Sequence, residues 1–192
     1  MNRPEILERF AMNNIDRITK VIDQISLWSG RAASWLIIPM AAVLVWEVFI
    51  RYTVQPTLWA VDIATISYGT HFFVAGAMTL YLGKHIRTDF FYQYWSARTQ
   101  CWVDAICYLL LFLPGMVIFI WMSWNFFSES WALKEELMTT WRPPAYPYKL
   151  VIPVSGVLIL LQGISELIKL IQTIVTGVDH RYQQQGGPRE AT

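Results

Sequence analysis

The chain has 192 residues, a formal net charge of +1, 55% hydrophobic residues and only 15% charged ones. A soluble domain carries about 25% charged residues, so this composition argues against a soluble globular protein. The near-zero net charge argues against a nucleic-acid binder, which needs a basic field to neutralise phosphates.

The first 24 residues mix acids and bases and have no early apolar block, so they are not expected to form a cleaved signal peptide. Ile6, Leu7, Phe10, Ile15, Ile18, Ile22 and Ile25 step mainly by three and four, which predicts an amphipathic helix. Residues 1–24 are expected to lie on the membrane surface, with Arg9, Arg17 and Lys20 near headgroups. Packing on a soluble face of another protein is the alternative.

Four apolar runs come next, each long enough for the roughly 20 helical residues that cross the hydrocarbon. They are residues 25–52, 58–82, 101–127 and 148–175, flanked by Trp, Tyr or charge. The expected fold is an all-α membrane protein: four transmembrane helices in a domain spanning 25–175, then a flexible tail from 176 to 192. A soluble bundle would need a polar stripe on each helix, and the third run carries no charge from Ala105 to Phe127.

In the first run Glu47 and Arg51 stand at i and i+4, the favoured acid-then-base spacing. A local interfacial pair is the simplest reading, and a substrate or proton site the other. In the second run Asp62, Gly69, Gly76 and Gly83 recur every seven residues, with Thr65 and Thr79 beside them. Small residues let helix backbones approach closely, so this face predicts a packing seam with Asp62 at its end. His71 is expected to hydrogen-bond Ser67 or a backbone carbonyl, with a proton relay as the alternative.

The stretch "LYLGKHIRTDFFYQYW" then gathers Lys84, His85, Arg87 and Asp89 ahead of Phe90, Phe91, Tyr92, Tyr94 and Trp95. This reads as a topology anchor leading into an interfacial aromatic belt. In the third run Cys101 and Cys107 are six apart, about 600° around a helix, so they face different ways and cannot pair. No CxxC occurs, which argues against a thiol oxidoreductase. Pro114 in the third run and Pro153 in the fourth free backbone carbonyls that neighbours must satisfy.

The segment between runs three and four is expected to continue the helix through Leu137. Pro143, Pro144 and Pro147 then impose an extended stretch. Trp131, Trp141, Arg142, Tyr146 and Tyr148 are either anchors for a partner or part of the aromatic belt.

Eleven Lys and Arg residues fall before or at the start of the first run, in the loop after the second and after or late in the fourth; four fall on the other side. The basic excess marks the cytoplasmic side, so both termini are expected inside. No Walker motif, Gly-rich nucleotide loop or pair of intramembrane histidines appears, and no catalytic, cofactor-binding or metal-binding residue is expected. Nor is there an internal repeat of the kind that builds a transport site from half-helices.

"WEVFIRYTVQPTLWAVDIATI", "GKHIRTD" and "PPAYPYKLVIPVSGVLILLQGISELI" together resemble the small membrane subunit, DctQ type, of tripartite ATP-independent periplasmic (TRAP) transporters. The resemblance covers Trp46 to Ile168. Its elements fall on Arg51, Pro56, Trp59 and Asp62, then His85, Arg87 and Asp89, then Tyr146 to Lys149 and Ile152-Pro153. The long amphipathic start and the Glu135–Trp141 segment depart from the family pattern.

The resemblance implies a subunit without enzymatic activity or cofactor in a bacterial or archaeal cytoplasmic membrane. Its partners would be a large membrane subunit that carries the transport sites, a periplasmic solute-binding protein and membrane lipids. It implies secondary-active, ion-driven uptake of a solute that often bears a carboxylate, with this chain bracing the large subunit. Asp62 with Gly69 and Gly76 would order the helices. Glu47, Arg51, Trp59 and the stretch through Arg142, Tyr146 and Lys149 would face the partners. His85, Arg87 and Asp89 would tie the inner loop to a helix end or to anionic headgroups. Two other readings stay open from the residues: a self-contained proton-coupled exporter using Glu47, and a membrane-anchor subunit of a respiratory complex.

Overall fold

A computed structural model describes the backbone of residues 3–83 and 97–176, and the side chains of residues 16–83 and 99–174. His85, Arg87, Asp89, the aromatic belt at 90–95 and the tail from 177 lie outside the described residues. The described chain is helical: α1 (Arg3–Ser34), α2 (Ile37–Thr53), α3 (Ala60–Tyr81), α4 (Ala97–Cys107), a π-helical turn (Tyr108–Phe112), α5 (Leu113–Leu133) and α6 (Tyr146–Thr176). Four helical stretches are long and apolar enough to cross a membrane: Asp16–Thr53, Ala60–Tyr81, Thr99–Leu133 and Tyr146–Ile174. The 22 residues of α3 rise about 33 Å at 1.5 Å each, close to the ~30 Å hydrocarbon thickness.

The helix does not break at residue 24, where the surface segment was expected to end; it runs unbroken to Ser34. The break falls at Trp35–Leu36, where Trp35 and Leu36 donate to Ala32 and Ala33 carbonyls only three residues back, at 3.2 and 3.0 Å. Pro39 is the cause. It has no N–H to give the Trp35 carbonyl, and its ring crowds that carbonyl. From α3, His71 Nδ1 donates to the Ala33 carbonyl at 3.0 Å and so supports the break.

Between α4 and α5 the Leu113 N–H reaches back five residues to the Tyr108 carbonyl, immediately before Pro114. Such a turn inserts one residue into the helix and rotates the helical faces beyond it. It brings the Phe112 ring onto Gly163 of α6, where no side chain would fit.

Helices α3 and α6 form the centre. α1 and α2 pack along α3, α5 packs along α6, and α1 also touches α6. Gly69 faces the Tyr148 ring and Gly76 faces Ile159, where a Cβ on Gly76 would come within 2.9 Å, so the seven-residue seam of α3 is the contact with α6. Gly30 of α1 makes the same close approach to Met78. Gly83, at φ 63°, closes α3 in the left-handed conformation that glycine adopts without a Cβ clash.

The interior is made of small and polar residues. Ala33, Ala60, Ala64 and Ala77 are buried, and the largest fully buried side chains are Gln162, Ser26, Ser130, Ser155 and Ser165. Large apolar side chains face outward instead, including Trp35, Trp46, Phe49, Phe72, Leu110, Leu111, Trp121 and Trp124. In water such a surface would aggregate. In lipid it is the expected arrangement, because association there depends on close packing and polar contacts rather than on apolar burial.

Candidate functional site

Polar chemistry collects at the two ends of the bundle. At the first end, the α2–α3 turn meets the segment between α5 and α6. Glu47 is buried on α2. Its Oε1 accepts from Arg51 Nη2 at 2.8 Å and Nε at 3.2 Å, and its Oε2 accepts from the Thr57 amide at 3.2 Å and from the Thr57 hydroxyl. Both carboxylate oxygens are therefore spent on holding the turn. Trp59, half-buried, precedes α3, and its carbonyl accepts from Ile63 N at 3.0 Å.

The helix expected to continue through Leu137 stops at Leu133. Lys134 takes the left-handed conformation at φ 47°. Glu135 N then donates to Ser130 O at 3.0 Å and Lys134 N to Trp131 O at 3.3 Å, a Schellman end. Glycine is usual there, and the sequence offered Lys. A short hairpin replaces the helix: Leu137 N donates to Pro143 O at 2.9 Å and Ala145 N to Glu135 O at 2.8 Å. These bonds hold the backbone that Lys134 must strain to begin. Arg142, also left-handed at φ 50°, turns the chain at the tip.

The hairpin is fixed to the bundle. The Thr139 hydroxyl donates to Asp62 Oδ2 at 2.7 Å. Lys149 pairs with Glu135 and lies 3.9 Å from the Phe126 ring centroid. Tyr146 meets Trp131 edge-on at 4.9 Å between centroids. The Lys149 hydrogen bond holds the Glu135 carboxyl below the ordinary value of 4.5, against a smaller opposing effect of burial. Met138 and Trp141 project from the tip into the surroundings.

The second end holds a cluster that the sequence reading passed over. Asp23 of α1 is nearly enclosed, and Lys169 Nζ lies 2.9 Å from its Oδ1 and 2.8 Å from its Oδ2. Gln162 Nε2 and Ser165 Oγ donate to the same Oδ1 at 2.9 and 3.0 Å. Lys169 also reaches Glu166 Oε1 at 2.9 Å. Farther out, Gln172 Nε2 donates to Asp16 Oδ1 at 2.9 Å. A signal was present: Gln162, Ser165, Glu166 and Lys169 stand at i, i+3, i+4 and i+7, one face of a helix. Thr19, Asp23 and Ser26 repeat that spacing on α1.

Such a cluster latches two helices but has no open position for chemistry. Among the described residues no group of three His, Cys, Asp or Glu is placed to hold a metal ion.

The family model for tripartite ATP-independent periplasmic transporters, DctQ component, matches residues 40–173. No curated protein matches the chain by sequence.

Proposed function

The chain belongs to the DctQ component family of tripartite ATP-independent periplasmic transporters, and we propose on that premise that it braces the large transport subunit of such a system. It is a membrane subunit of a transporter rather than a self-sufficient pump. The carrying observation is the division between outside and inside. Broad apolar faces on α1–α2 and α4–α5 are free to meet another membrane chain, while the helix contacts are closed by glycine, alanine, serine and an ion-paired latch.

The orientation rests on charge. Asp62 bonding Thr139 puts the α2–α3 turn and the hairpin at one end. Asp23 pairing with Lys169 puts α1 and the last turns of α6 at the other. The basic excess belongs to that second end, so it faces the cytoplasm and both termini lie inside. The hairpin then faces the periplasm. Met138, Trp141 and Arg142, with Arg51 and Trp59 on the same side, form the rim offered to a solute-binding protein. The ion-driven solute, often carboxylate-bearing in such systems, is handled by the partners.

The exporter reading based on Glu47 gains nothing, because Arg51 and Thr57 occupy both of its carboxylate oxygens. Reconstitution tests the proposal. Proteoliposomes with this chain alone should not accumulate the solute of its binding protein under a sodium or proton gradient. Adding the large subunit and the binding protein should start uptake. Accumulation by this chain alone overturns the proposal.

A further inference from the structure

At the end of the bundle that carries the latch, a notch of about 400 Å³ opens between α1 and the end of α3. Lys20, Gln24, Trp28 and Arg31 line it from one face of α1, with Tyr81, the last residue of α3, across from them and Asp23 at its base. Spacings of four, four and three keep these α1 side chains on one side of the helix.

The charges in the notch are not balanced internally. Asp23 is taken up by Lys169 at 2.8 Å, and Glu166 by the same ammonium at 2.9 Å. Lys20 and Arg31 are exposed, and neither has an ion-pair partner among the described residues. Of the charged groups that line the notch, Lys20 and Arg31 are cationic and Asp23 alone is anionic, so the lining carries a net positive charge suited to an anion.

Its height says which anion. Tyr81 ends the membrane-spanning α3, and Gly30 packs against Met78, so Arg31 sits within about one helical turn of the hydrocarbon boundary. Lys20 stands about 16 Å farther out along α1, in and beyond the headgroup layer. Trp28 is 73% exposed between them, the place of an interfacial tryptophan. A phosphate held there with an acyl chain beside Trp28 satisfies both the charge and the apolar wall.

We infer that this notch binds the phosphodiester headgroup of an anionic phospholipid, with Arg31 as its direct cationic ligand and Lys20, farther out along α1, adding its charge to the field at the mouth. Bound lipid fixes α1 against α3 at the inner boundary, beside the latch that fixes α1 to α6. The site does not depend on the transport role proposed above.

Native mass spectrometry of the full chain in detergent tests it, with phosphatidylglycerol and phosphatidylcholine offered at equal concentration. Phosphatidylglycerol should be retained in preference. A cation near a membrane surface contributes about five-fold to anionic-lipid affinity, so Lys20→Gln with Arg31→Gln should reduce the preference by on the order of 25-fold. Arg17→Gln, which removes an exposed cation outside the notch, should reduce it less than Arg31→Gln does. Gln24→Glu puts an anion in the notch with both cations in place and should also abolish the preference, and a native elution profile for it separates lipid loss from misfolding. An unchanged preference in both the double variant and Gln24→Glu overturns the inference. Release of the lipid by millimolar inorganic phosphate overturns the lipid assignment and gives the site to a soluble phosphate.

Discussion

Lys169 Nζ lies 2.8 Å from Asp23 Oδ2, across 146 residues of sequence, and both side chains are almost fully enclosed. This contact joins the first helix to the last at the level where α3 ends. Its energetics are asymmetric, because Lys169 serves two carboxylates while Asp23 is served by three donors.

Lys169→Met should therefore cost more than Asp23→Asn. The first leaves Asp23 and Glu166 without their shared cation, and removing one partner of a buried pair costs about 3–5 kcal/mol. The second leaves Lys169 paired with Glu166 and keeps an acceptor for Ser165. Thermal unfolding in detergent should rank the variants in that order, with the double variant less destabilised than the sum. The reverse ranking would remove the latch from the account.

The glycines divide into close contacts and free positions. Gly163→Ala and Gly69→Ala must displace Phe112 and Tyr148 and should destabilise, by about 1–3 kcal/mol for overpacking. Gly115 has nothing near its would-be Cβ, so Gly115→Ala should stabilise α5 by about 0.5–1 kcal/mol. Midpoints measured side by side check this. Equal effects at all three would mean that the seam does not carry the packing.

The Thr139–Asp62 bond should govern the hairpin between α5 and α6. In Thr139→Val the hydroxyl donor is lost while shape is kept. Hydrogen exchange at the Leu137 and Ala145 amides should then accelerate about ten-fold or more, since a bond to a charged acceptor contributes about 1.5–3 kcal/mol. Exchange in α6 should not change. Unaltered hairpin protection would show that its backbone bonds suffice alone.

Glu135 gives a pH dependence of known sign. Its carboxyl is held below 4.5 in the folded chain, first by the Lys149 hydrogen bond. A depressed carboxylate stabilises above its unfolded pKa, and that contribution disappears as pH falls through the lower folded value. The melting midpoint should fall on acidification below about pH 4.5, and Glu135→Gln should remove that part of the slope. Both proteins titrating alike in that range would exclude Glu135 as the source.

How much of this was legible in the sequence depends on the range of the contact. The four spans were readable because a helix satisfies its own backbone and its apolar run reports membrane thickness directly. The pairing of Glu47 with Arg51 is local, so spacing suggested it, and the glycine period of α3 pointed to a seam because one helix face carries the whole signal. Thr57 beside Glu47, Thr139 on Asp62 and Lys169 on Asp23 were invisible, since each depends on where two distant segments dock. The helix end at Leu133 was misjudged because Lys134 has no intrinsic preference for the left-handed conformation, which the hairpin after it imposes. Pro39 was a readable break, but it was hidden inside an apolar run long enough to look continuous.

The central claim is that this chain braces a second membrane protein. Affinity purification of the tagged chain from its native membranes in mild detergent, then size-exclusion chromatography and subunit quantification, tests it most directly. The account predicts co-elution of a large polytopic membrane protein in a fixed ratio that survives repeated chromatography. Elution of this chain alone as a single stable species, from membranes that contain that large subunit, would contradict it.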